Sequence, residues 1–115
     1  MIITVRKEND VAILDLSGNL VLGDPVSAFR EKIGEVLEAG TKAVAINLAS
    51  VSFVDSSGIG AMLGARTSVE AAGGQCRYFA ALPRVIHTLE TTRMHEVLNL
   101  HPSEASALAS FDATS

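Results

Sequence analysis

The chain has no tryptophan, one tyrosine, four phenylalanines and a single cysteine among its 115 residues. The lone Cys76 cannot close an internal disulfide, and no adjacent residue marks it as a reactive thiol, so it reads as a buried structural cysteine. With so few aromatic rings, the core must be built from Val, Ile, Leu and Ala packed at close range, a composition that suits layers of helix on sheet. Basic residues are also scarce: nine Lys and Arg stand against thirteen Asp and Glu, a formal charge of −4. They are scattered rather than clustered, which excludes a nucleic-acid-binding surface. No apolar run approaches the roughly 18 residues of a membrane span, and Met1-Ile2-Ile3-Thr4-Val5-Arg6-Lys7 lacks the apolar stretch of a signal peptide. A cytoplasmic protein without membrane insertion, folded as one domain over residues 1–115, is the expectation.

What the sequence does hold is a regular alternation of strand and helix patterns. Ile2 to Lys7 and Val11 to Ser17 read as an antiparallel hairpin across Glu8-Asn9-Asp10. After Gly23-Asp24-Pro25, the spacing of Val26, Phe29, Ile33, Val36 and Leu37 predicts a helix stopped at Gly40. Ala43-Val44-Ala45-Ile46-Asn47-Leu48 is the nearly continuous apolar run of a central strand covered on both faces. From Gly58, residues Ile59, Met62, Leu63 and Val69 give a second helix ended by Gly73-Gly74, with Gly60 and Gly64 expected to let it lie close to the sheet. Gln75 to Ala80 reads as a strand, Pro83 to about Thr92 as a helix, and Val97 to Leu100 as a last short strand. Ser103 then caps a helix containing Ala105, Leu108, Ala109 and Phe111. The predicted architecture is α/β: a mixed sheet of four to five strands, parallel at its centre, with about four helices.

Catalytic readings fail on spacing. A nucleophile elbow needs Gly-x-Ser-x-Gly; Ser56 has Val54 and Gly58 two residues away on its two sides, and Ser57 has Asp55 and Ile59. His87, His95 and His101 fall at no triad or metal-ligand spacing, so surface or capping roles are expected for them. In Gly58-Ile59-Gly60-Ala61-Met62-Leu63-Gly64 a leucine occupies the position where a dinucleotide fingerprint needs Gly or Ala, and the phosphate-loop lysine is missing. No enzyme, metal or cofactor is expected.

The informative run is Val54-Asp55-Ser56-Ser57-Gly58-Ile59-Gly60, where a strand hands over to a helix. A helix start leaves backbone N–H groups unpaired and carries partial positive charge, so it accepts a capping side chain, an anion or a phosphate carried by a serine. By residue type alone, Asp55-Ser56-Ser57 is a capping sequence.

With Val51-Ser52-Phe53 before it, this run resembles the signature of bacterial anti-sigma factor antagonists, whose fold is the STAS domain. The resemblance extends over the whole chain, through Leu16-Ser17-Gly18, the helix around Phe29, the central strand and Pro83. It implies a non-catalytic partner-switching regulator. Such a protein binds an anti-sigma factor that is also a serine kinase, which phosphorylates the second serine of the motif; a serine phosphatase restores it. Carried over, the acceptor is Ser57, with Ser56 as a secondary candidate. Asp55, Ser56, Ser57, Gly58, Ile59 and Met62 then form the partner-binding surface, joined by Asn19, Val21 and Asp24 from the loop after the second strand. Val21 stands where kinase-substrate members commonly carry Asp, and Asp24 is the nearest acid in the sequence. Gly58 is expected to keep the acceptor open, and Ile59 and Met62 to offer apolar contact. The alternative implied by the same resemblance is an interaction subunit of a transport or sensory complex, in which the serines only cap the helix. Nothing in the sequence fixes an oligomeric state.

Overall fold

The computed structural model describes residues 1–112. The elements follow in the order β1 (Ile2–Glu8), β2 (Val11–Leu20), α1 (Asp24–Glu38), β3 (Ala43–Val54), α2 (Ser56–Ala71), β4 (Gln75–Phe79), α3 (Pro83–Thr91), a 3-10 turn (Met94–Glu96), β5 (Leu100–His101) and α4 (Glu104–Asp112). They form one five-stranded sheet in the order β1-β2-β3-β4-β5. The β1–β2 pair is antiparallel and the others are parallel. The hairpin turns at Asn9 and Asp10, both at positive φ (48° and 71°). Those are the residue types that tolerate the mirror-image turn a twisted hairpin prefers.

Alternation along the strands divides the core between the two faces of the sheet. Ala12, Leu14 and Leu16 of β2 and Val44, Ile46 and Leu48 of β3 meet Val26, Phe29 and Ile33 of α1 and Ala61, Met62 and Ala65 of α2. On the other face a smaller cluster of Val11, Ile13, Ala45 and Phe79 lies under Ala107 of α4. The central strand is longer than its apolar run, because it continues through Ala49 to Val54. Two register shifts against β2, between Asp15 and Ser17 and between Gly18 and Leu20, place an extra β3 residue each time. Such bulges re-aim the side chains that follow. Val51 and Val54 are thereby returned to the core, while Ser52 and Phe53 are left in solvent.

Two local expectations are corrected. The last strand is Leu100–His101 rather than Val97 to Leu100; Val97 and Leu98 lie in the turn before it, with Leu98 fully buried. Gly60 and Gly64 do not pack on the sheet: both are exposed, and a Cβ on either would meet nothing within 4 Å. The glycine that brings α2 close is Gly58, where a Cβ would collide with the Leu20 carbonyl oxygen. Cys76 is buried as expected, and burial pushes its thiol up to about 12, which keeps it protonated and inert. No helix among the described residues is long and apolar enough to cross a membrane.

Candidate functional site

The carboxyl ends of β2 and β3 carry the signature run, and Asp55 organises it. Its backbone is extended (φ −95°, ψ −175°), the conformation of an N-cap. One carboxylate oxygen accepts from Gly58 N at 2.8 Å, closing the first turn of α2, and the other accepts from Leu22 N at 3.0 Å, across the β2–α1 loop. The Asp55 amide donates to the Leu20 carbonyl (3.3 Å), and the Asp55 carbonyl accepts from Ile59 N (2.9 Å). The amides of Leu22 and then Gly58 hold the carboxyl below the usual aspartate range, so it is ionised at neutral pH.

Because Asp55 is the cap, Ser56 and Ser57 are not. They occupy the first helical turn, Ser56 exposed and Ser57 half-buried, and no other described residue engages either hydroxyl. The run caps the helix as its residue types imply, through Asp55 rather than through the serines. It leaves a pair of hydroxyls without hydrogen-bond partners among the described residues at the positive end of the helix dipole, a position that tolerates added negative charge.

The predicted surface is only partly assembled. Asn19 is exposed at the end of β2, Val21 is half-buried and its carbonyl accepts from Val26 N (3.3 Å), and Asp24 is exposed in the first turn of α1. Ile59 is half-buried and packs against the core edge. Met62 is overturned as a contact residue: its side chain is fully buried, and its carbonyl accepts from the Tyr78 hydroxyl at 2.7 Å. Helical spacing explains the miss, since position 62 lies one turn from Gly58, on the inward face. Gly58 is likewise buried, and its absent side chain serves the Leu20 contact rather than access to Ser57.

The sequence reading overlooked Leu22 and Phe53. Of the exposed large apolar residues, Leu22 (75% exposed) and Phe53 (46%) flank Asp55, one through the Leu22–Asp55 hydrogen bond and the other two residues upstream. Leu82 (37%) lies at the start of α3, beyond the carboxyl end of β4. Leu22 was legible as an apolar residue between Val21 and Gly23 in a loop. Phe53 was not, because its outward direction depends on the β3 bulges.

A family model described as the STAS domain matches residues 3–107. The chain belongs to the STAS domain family. Solved structures agree with this STAS fold. An anti-sigma factor antagonist from Mycobacterium paratuberculosis, 21% identical, matches with a TM-score of 0.81 over 95% of this chain and 92% of its own. The Bacillus cell fate determinant SpoIIAA in its phosphorylated form, also 21% identical, matches at 0.70 over 96% and 99%. The murine solute carrier 26 family member A9 anion transporter matches at 0.77 and 21% identity over 94% of this chain, which spans 18% of the transporter. At these identities the likeness is one of fold, shared by regulators and by part of a transporter.

Proposed function

We propose that this STAS domain is an anti-sigma factor antagonist, a cytoplasmic, non-catalytic regulator that binds an anti-sigma factor serine kinase and is switched by phosphorylation of Ser57. The observation that carries this reading is the Asp55 clamp. It caps α2 and ties down the Leu22 loop, while Ser56 and Ser57 stand in the first helical turn with neither hydroxyl hydrogen-bonded among the described residues. Exposed Leu22 and Phe53, carried by the segments that Asp55 joins, offer apolar area for docking of a protein partner. A phosphate on Ser57 adds about −1.5 to −2 charges beside ionised Asp55, which opposes the interface by repulsion and desolvation. The helix N–H groups and dipole tolerate the same charge, so affinity changes while the fold persists. A serine phosphatase resets the switch. Asn19, Val21 and Asp24 border this surface and contribute to partner choice.

A second reading, an unphosphorylated interaction subunit of a transport or sensory complex, draws support from the match to part of an anion transporter and from Val21 in place of a loop acid. The discriminating experiment is phosphosite mass spectrometry on protein from its native cells, paired with partner capture by wild type, Ser57→Ala and Ser57→Asp. The antagonist reading expects phosphate on Ser57, with Ser57→Ala retaining the partner and Ser57→Asp losing it. Unmodified Ser57 with equal capture by all three proteins transfers the conclusion to the scaffold reading.

A further inference from the structure

β1 stands at one end of the strand order, so one of its backbone edges pairs with β2 and the other with nothing among the described residues. Its pairing with β2 runs from Ile2 to Glu8 without a register shift, and the strand holds no proline. A long, regular open edge is a template for another strand unless bulges, proline or free charges blunt it. The opposite edge of the sheet is the two-residue β5, too short to serve the same way.

The hairpin decides which backbone groups face outward. Asn9 and Asp10 form a two-residue turn, and in such a hairpin the flanking pair, Glu8 and Val11, is hydrogen-bonded. Hydrogen-bonded pairs recur at every second residue, so Ile2, Thr4 and Arg6 also bond to β2, and the N–H and C=O of Ile3, Val5 and Lys7 point to the open edge. Two basic side chains could guard that edge, but both are held by their own chain. Arg6 Nε donates to Asp15 at 2.7 Å and its guanidinium pairs with Glu104 of α4; Lys7 Nζ donates to the Thr41 hydroxyl at 3.0 Å. Ile2 and Val5, by contrast, are 70% and 39% exposed. Beside Val5 and Lys7 lies a shelf of about 260 Å³, lined also by Ala12 of β2, Val36 of α1 and Ala39 just after it.

We propose that β1 pairs antiparallel with β1 of a second copy of this chain, about a two-fold axis at Val5, joining the two sheets into one. In that register Val5 faces Val5, and Ile2, Ile3 and Thr4 face Glu8, Lys7 and Arg6 of the second copy, so no like charges oppose each other. The outward residues Ile3, Val5 and Lys7 of the two strands meet one another, and each pair exchanges two hydrogen bonds. Both β1 residues on the shelf gain an apolar neighbour, Val5 beside Val5 and Lys7 beside Ile3. Moving the axis to Arg6 or Lys7 sets that residue against itself, and moving it to Thr4 calls on Met1, which lies outside the strand. A strand that matches itself in polarity and charge is what a two-fold contact requires, and this favours a second copy over a strand of another protein.

The test is sedimentation equilibrium of the intact chain from about 10 μM to about 1 mM, with amide hydrogen exchange measured at both ends of that range. A monomer–dimer equilibrium is expected, and the amides of Ile3, Val5 and Lys7, fast in the monomer, gain protection in the dimer. Val5→Lys and Val5→Glu, checked for native far-UV circular dichroism, are each expected to weaken dimerisation at least about tenfold by setting like charges face to face. Mixing the two variants is expected to restore the dimer, because the axis then carries opposite charges. Ser57→Asp dimerises like wild type, which separates this contact from the antagonist reading. A chain that stays monomeric leaves the edge to a strand of another protein and overturns the proposal. So does a dimer with Ile3, Val5 and Lys7 unprotected, a folded Val5 variant that dimerises like wild type, or a mixture that associates no better than its components.

Discussion

Asp55 commits its amide, its carbonyl and both carboxylate oxygens to two neighbouring segments, which makes it the residue on which the presentation of Ser57 depends. Asp55→Ala removes the hydrogen bonds to Gly58 and Leu22 together. The expected result is faster hydrogen exchange at both amides, a lower Tm and weaker partner binding with Ser57 intact. The same geometry sets a pH dependence. A carboxyl depressed in the folded state stabilises the protein above its unfolded pKa, and that contribution disappears as pH falls through the folded value. Protection of the Gly58 and Leu22 amides, taken relative to their intrinsic exchange rates, is therefore expected to fall on acidification in wild type and to show no such step in Asp55→Ala. Gly58 imposes a different constraint, because a methyl group there runs into the Leu20 backbone oxygen and the Val54 side chain. Gly58→Ala is expected to destabilise by about 1–3 kcal/mol, measured by urea unfolding. It displaces the end of β2 and so alters the loop that carries Val21 and Leu22.

The elements were legible in the sequence where hydrophobic spacing was regular and obscure where it broke. Val26, Phe29, Ile33 and Val36 define α1 by period alone, and all four are buried. β3 shows the limit: its first half, Ala43 to Leu48, is a continuous apolar run, but Ala49 to Val54 alternates irregularly because of the two register shifts. A one-residue slip exchanges inward and outward positions, so no fixed period identifies Phe53 as exposed. The shape of the first shift is stabilised by Asn47, which donates to Asp15 Oδ1 (2.8 Å) and accepts from Ala49 N (3.0 Å). Asp15 also accepts from Arg6 Nε at 2.7 Å, and Arg6 reaches Glu104 of α4 through Nη1 at 3.2 Å. This chain of contacts links β1, β2, β3 and α4 and was invisible in sequence because Arg6 and Glu104 lie far apart in the chain. Arg6→Met severs both ion pairs. Since the side chains are roughly one-third exposed, the expected loss is about 1 kcal/mol or less. The Arg6 hydrogen bonds hold both carboxyls below their usual range, so this stabilisation is present at neutral pH and is lost as pH falls through the folded values. Urea unfolding across the acid range is expected to show a shallower stability decline in Arg6→Met than in wild type, with faster exchange of the α4 amides.

Across the whole molecule, the parallel strands point their carboxyl ends toward one side, and the candidate Ser57 site follows from that polarity. Ser57 sits where β2 and β3 end. The candidate Ser57 site was legible as a motif because its residues are contiguous. The core beneath Ser57 is arranged so that the proposed phosphorylation would act without unfolding the chain. Tyr78, fully buried, anchors α2 through its hydroxyl on the Met62 carbonyl, one turn inside the helix from Gly58. Ser57 itself is at the edge of the core, with its hydroxyl unengaged. Phosphate on Ser57 takes the formal charge from −4 to about −6. The singly phosphorylated chain is accordingly expected to elute later on anion exchange, while its far-UV circular dichroism overlays that of the unmodified protein. Its Tm is expected to stay within about 3 °C, since the modification breaks no described hydrogen bond and a shift of that size corresponds to less than about 1 kcal/mol. Amide shift changes are expected at Leu22 and over the first turn of α2, the two segments joined by Asp55, and not at β5 or α4. A loss of the native circular dichroism signal on phosphorylation would contradict this separation of surface charge from fold, because the α2 N-terminus would then be part of the stability core rather than a tolerant anion position.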